Sequence, residues 1–74
     1  MSEALSNVPG GCKVRIVRVN VGRGLVRRLL QMGLLPGEEV LVKHNNGGVI
    51  ILEARGTEIG ISKGIAMKIE VERI

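Results

Sequence analysis

The side chains able to do chemistry in this chain are few, and none has the partners that chemistry needs. His44 is the only histidine and Cys12 the only cysteine. They fall on different predicted strands with no ligand spacing around either, so neither reads as part of a zinc site. Cys12 reads as a small residue at a strand start and His44 as a strand-end residue before a turn. All seven acids are Glu, and the absence of Asp argues against an oxygen-rich calcium or magnesium cage. Glu38 and Glu39 are neighbours, but a turn-to-strand pair points to opposite faces, which leaves no two convergent carboxylates for acid–base work. A Ser or Cys nucleophile needs a base, and the one histidine lies on another element with nothing to orient it. Gly22-Arg23-Gly24 sits between a strand and a helix as phosphate-binding turns do, yet the third glycine and a parallel βαβ setting are missing. The residues therefore point to a binding module with no catalytic, metal or cofactor positions.

Four polar residues remain without a structural reason. Arg23, Arg27 and Gln31 recur at i, i+4 and i+8 on one helical face, with Arg28 adjacent. The arginines gather near the predicted helix start, where the helix dipole disfavours cations, and no Glu at i+4 offsets them. A solvated face is the plain explanation of such a run. Local stability does not favour it, and the ridge is the candidate partner-binding site.

The elements that must position this ridge follow from periodicity. Residues 12–21 are rich in β-branched side chains, with Val14 and Ile16 alternating against Lys13 and Arg15. The apolar face then continues one residue out of phase at Val17, Val19 and Val21, which predicts a β-bulge near Ile16 and Val17. Leu25, Leu29 and Met32, with Val26 and Leu30 beside them, form the apolar stripe of a short amphipathic helix. Gly33 is placed to end it in the left-handed conformation with Leu34 folding back on Leu29. Pro36 and Gly37 suit the centre of a type II turn. Residues 39–44 and 49–54 are apolar runs separated by Asn45-Asn46-Gly47-Gly48, a hairpin signal. A tight turn at Arg55-Gly56 leads into residues 57–61, Ser62 caps a single helical turn through Met67, and residues 69–72 close the chain as a strand.

About five short strands and one real helix in 74 residues predict a mainly β fold, a small five-stranded antiparallel barrel whose closure removes exposed edges. Residues 1–7 read as an N-terminal tail and residues 8–74 as the one domain. The aliphatic run 49–52 is available to pair with another copy or to be covered, so a homo-oligomer stays open. No stretch reads as an export signal or a bilayer span, which fits a reducing cytoplasm and no direct membrane insertion.

Charge narrows the partner. The net charge is +4, with six Lys/Arg against Glu3 alone in residues 1–37 and five against six Glu in residues 38–74. Lys13, Arg15, Arg18, Arg23, Arg27 and Arg28 together admit an alternative, a basic small-barrel nucleic-acid-binding protein. The chain has no Phe, Trp or Tyr, so it offers no stacking platforms for single-stranded bases and no aromatic slots for proline-rich peptides.

Arg28-Leu29-Leu30-Gln31-Met32-Gly33-Leu34-Leu35-Pro36-Gly37, followed by a strand over residues 39–42, resembles the helix-and-turn signature of FeoA-type proteins: Arg-Leu, a short gap, Leu-Gly-Leu, then Pro-Gly. Ile59-Gly60-Ile61-Ser62, Ala66, Ile69 and Val71 match that family's closing strand, its short turn with an alanine and its final Ile-x-Val. Each fragment is weak alone, but their order and spacing extend over nearly the whole chain from Val8. Two positions depart: Gln31 stands where the family often has an acid, and Met32 replaces a leucine of similar volume. The resemblance implies an SH3-like five-stranded barrel, a cytoplasmic accessory protein of ferrous iron transport, and docking on the FeoB transporter, whose soluble part carries a GTPase domain. It implies no metal site on this chain. Similar domains form the C-terminal part of iron-dependent repressors, but this chain shows no helix-turn-helix segment and reads as free-standing. An arginine donated to the transporter's GTPase site has no signal beyond the exposure of the ridge.

Overall fold

The alternating apolar runs become strands in the computed structural model, which describes all 74 residues. The strands are β1 (Glu3–Ala4), β2 (Lys13–Val19), β3 (Glu39–Asn45), β4 (Val49–Ala54), β5 (Thr57–Ser62) and β6 (Ile69–Arg73). Helix α1 (Arg23–Gln31) follows β2, and the single turn α2 (Lys63–Ala66) precedes β6. All strands pair antiparallel in one SH3-like curled sheet of order β1-β6-β2-β3-β4-β5. Its inward face, with Leu5, Val8, Leu29, Leu34 and Ala66, makes a core of 16 side chains, every one of them aliphatic.

The punctuation follows the physical reading closely. The β2–β6 register shifts between Ile16 and Arg18, and this bulge lets Val19 join Val14 and Ile16 against the core. Gly33 ends α1 at φ 86°, and the Leu34 N–H reaches the Leu29 carbonyl at 2.9 Å while Gly33 N–H reaches Leu30 at 3.0 Å. Those two bonds make a Schellman motif, which drives Leu34 into the core beside Leu29. Glu38 N–H then bonds the Leu35 carbonyl at 3.0 Å across a type II turn with Gly37 at φ 92°. Arg55 and Gly56, at φ 54° and 78°, make the two-residue turn of the β4–β5 hairpin. The Ser62 hydroxyl accepts the Ile65 N–H at 3.3 Å and caps α2.

Three expectations need correction. Residues 3–7, read as tail, form β1 on the edge of β6 and a 3-10 turn (Leu5–Asn7), and Leu5 is among the largest fully buried side chains. A lone Leu among Ser, Glu and Asn shows no periodicity, so nothing in the sequence marks it as core. These residues also raise the strand count from five to six. Second, no ladder joins β1 to β5, so these strands are the ends of the sheet and closure does not remove its edges. Third, the run 49–52 is no edge: β4 lies between β3 and β5.

What holds the N-terminal segment down is Asn45, the last residue of β3. Its side-chain amide donates to the carbonyls of Ser6 at 3.0 Å and Val8 at 2.7 Å. Asn45→Ala leaves both oxygens without that donor and should lower unfolding free energy by about 1–3 kcal/mol. Asn45→Asp should be at least as damaging, since a carboxylate would face two carbonyls. Gly33→Ala should cost about 1–2 kcal/mol through backbone strain alone, because a Cβ there would meet only the Arg55 side chain, at 3.7 Å. Urea unfolding followed by far-UV circular dichroism checks all three, since the chain has no Trp or Tyr to report by fluorescence.

Candidate functional site

Folding sorts the charges. Across the outer face of the sheet, neighbouring strands set carboxylates beside cations: Glu39 lies 3.7 Å from Lys13 and 3.3 Å from Arg15, Glu72 lies 3.6 Å from Arg15, and Glu70 lies 3.4 Å from Arg18. Lys43 sits between Glu53 at 3.8 Å and Glu58 at 3.4 Å. Glu3 on β1 takes Arg73 through two bonds, at 2.8 and 3.2 Å. Glu38 takes Arg55, tying the Pro36-Gly37 turn to the β4–β5 turn. The hydrogen bond to Glu38, and then its charge, hold the Arg55 guanidinium above its ordinary value.

Every Glu in the chain is thereby engaged, and five cations are not. Arg23, Arg27 and Arg28 on α1, Lys63 in α2 and Lys68 just after it have no carboxylate within salt-bridge distance. The six-residue basic cluster expected from the first half therefore divides. Lys13, Arg15 and Arg18 are neutralised by acids from the second half of the chain, because antiparallel pairing brings β3 and β6 to either side of β2. The unpaired remainder lies on the helical side of the molecule.

Helix α1 is a shallow rider on the barrel. Leu29 is its one fully buried residue, Leu25 and Val26 are half-buried, and Leu30 and Met32 remain 39% and 40% exposed. The expected apolar stripe is present but only partly used for packing. Arg28 shares an open cleft with Leu25, Leu29 and Met32 from the helix and Gly60, Ser62 and Ile65 from the opposite wall. An adjoining cleft brings Lys68 beside Val21, Leu25 and Ile65. Gln31 lies on the far side of Met32, in a cleft with Arg55 and Thr57. Arg23 and Arg27 are exposed and line none of these clefts. The four predicted residues thus share a helix but not one pocket.

Lys63 and Lys68 were not singled out by periodicity or motif. Their signal is the absence of any acid between Glu58 and Glu70, which the near balance of charge over the second half conceals. No three of His, Cys and Glu come together as metal ligands, and no helix is long and apolar enough to cross a membrane.

The match to a family model, the FeoA domain, runs over residues 3–73. This chain belongs to the FeoA domain family. A Methanocaldococcus jannaschii protein named "Putative Fe(2+) transport protein A" is 37% identical over 62 residues, covering 84% of this chain and 76% of that one. The crystal structure of an iron uptake regulatory protein (FeoA) superposes with a TM-score of 0.93 at 31% identity, covering all of both chains. A manganese-dependent transcriptional repressor superposes at 0.88 with 14% identity, covering 99% of this chain and 42% of that one, a likeness of fold alone. The family match reaches Glu3, which agrees with the buried Leu5 in placing the first residues within the folded unit.

Helix α1 opens on Gly22 with no side-chain cap and no acid in its first turn. Arg23→Glu should therefore stabilise the protein by about 0.3–1 kcal/mol at low ionic strength. The gain should shrink in concentrated salt, and paired urea melts at the two ionic strengths check it.

Proposed function

We propose that this FeoA-family chain is a cytoplasmic accessory protein of ferrous iron uptake that binds the cytoplasmic part of a FeoB-type transporter and does no chemistry of its own. The single observation that carries the reading is the concentration of all unpaired cations on α1, on α2 and at Lys68 just beyond it, while every Glu is engaged elsewhere. Such a face favours an acidic partner surface and speeds encounter with it. The half-exposed Leu30 and Met32 add apolar contact within the same face. Family membership and the likeness to iron-transport relatives support the pathway.

Arg23, Arg27 and Arg28 are the residues assigned to docking, with Gln31 at the margin toward the β4–β5 turn. Nucleic acid is the weaker alternative, because folding removes half of its proposed basic cluster into ion pairs. Calorimetry with the soluble domain of the transporter tests the reading. Changing all three arginines to Glu should weaken binding by roughly a hundredfold or more, since like charges then face an acidic patch. Gln31→Ala should change it by less than roughly tenfold. Unaltered binding by the triple variant, with the fold verified by circular dichroism, rules the ridge out.

A further inference from the structure

The two ends of the sheet are not alike. β1 has two residues, too short to recruit another strand, whereas β5 has six and runs in unbroken register with β4 from Thr57↔Ala54 to Ser62↔Val49. Lys63 N–H bonds the Gly48 carbonyl at 2.8 Å in that same register. Hydrogen-bonded pairs alternate along an antiparallel ladder, so Ile61, Ile59 and Thr57 direct their backbone groups to β4. The N–H and C=O of Glu58 and Gly60, and the N–H of Ser62, face the open side.

Exposed edges are ordinarily blunted by Pro, Lys, a bulge or a cover. β5 has no Pro, Lys or bulge and no strand beyond it: its one charge, Glu58, is engaged with Lys43, and the middle of its free side is Gly60, which has no side chain. Glu58, Gly60 and Ser62 are all exposed. Beside this edge runs α1, and the cleft between them holds 160 Å³ over Leu25, Leu29, Met32 and Ile65, with Arg28 on its wall.

Resting on the docking role of this face, we propose that the cleft between α1 and the free edge of β5 binds an extended, acidic-aliphatic segment of the partner by strand addition. Backbone groups of the segment pair with Glu58, Gly60 and Ser62, and alternate side chains point into the cleft. Aliphatic ones seat on Leu25, Leu29 and Met32, and a carboxylate reaches Arg28. A second copy of this chain is the poorer occupant: β5 paired with itself would bring two α1 helices together, each with three arginines and no acid.

The probe is a blocked peptide of alternating valine and glutamate, titrated into the full-length protein and followed by NMR and amide hydrogen exchange. Exchange at Glu58, Gly60 and Ser62 should slow by roughly tenfold or more at saturation, with little change at the already paired Ile59 and Ile61. Replacing the glutamates of the peptide by lysine should weaken binding at least roughly tenfold, as should Gly60→Pro, which removes a donor outside the β4 ladder. Perturbation confined to the arginines of α1, with no protection along β5, overturns the proposal, as does self-association of the protein in place of peptide binding. Transporter-domain binding that is lost on reversing the arginines but unchanged in Gly60→Pro also overturns strand addition, and it leaves ridge docking standing.

Discussion

The structure depends on a core that contains no polar side chain and no aromatic ring. A 74-residue domain buries a smaller fraction of its surface than a larger domain does, and aliphatic side chains are its only packing material here. Every available Leu, Ile and Val of the right phase must therefore be brought inward, including Leu5 and Val8 from before the first long strand. Those two residues reach the core only because the Asn45 amide satisfies the backbone carbonyls of Ser6 and Val8 that their burial would strand. An apolar interior cannot select a register through buried polar contacts. Register is set instead by the bulge at Ile16 to Arg18, by the left-handed glycines and by the two-residue turn at Arg55-Gly56.

An interior without charge pushes all titratable groups to the surface, where pairing is weak. Exposed ion pairs contribute about 0–1 kcal/mol each, so their worth to stability is small. Their consequence is spatial. Six cations pair with seven carboxylates, which leaves that part of the molecule one negative; the five free cations therefore exceed the whole net charge of +4. A modest overall charge becomes a strongly one-sided field over α1 and α2.

Local rules made most of this architecture legible. The bulge, the Schellman end of α1, the type II turn, the Arg55-Gly56 turn and the Ser62 cap each depend on neighbours within a few residues, and each is present in the structure. What stayed hidden depends on pairs far apart in sequence. Leu5 is core only because β6 and α2 close over it, and Asn45 reads as a turn residue until its partners Ser6 and Val8 are known. Likewise, Lys13, Arg15 and Arg18 look as free as Arg27 until β3 and β6 set Glu39, Glu70 and Glu72 beside them. The ridge on α1 was visible because α1 has no neighbour that neutralises it. The edge of β5 was not, because strand order cannot be read from strand pattern.

Consistency across levels separates α1 and β5 from the rest of the chain. Elsewhere, Ser62 caps α2, glycine takes all but one of the left-handed positions, and cross-strand charges alternate. Helix α1 breaks these rules together: an uncapped Gly22 start, a Gly24 in the first turn, three arginines without acids, and an apolar stripe only partly buried. Glycine at the N-cap costs about 0.3 kcal/mol relative to Ser or Asp, and Gly24 adds about 1 kcal/mol relative to Ala. β5, on the other wall of the same cleft, breaks the rule that long edges are guarded. Chance departures from stability would scatter over the surface. These fall on the two elements that flank one cleft, where weak packing of α1 leaves apolar side chains available, the cations supply long-range attraction, and the unpaired backbone supplies direction. Gln31, polar but uncharged and turned toward Arg55, stands outside that combination, so charge and edge rather than the whole helical face define the surface.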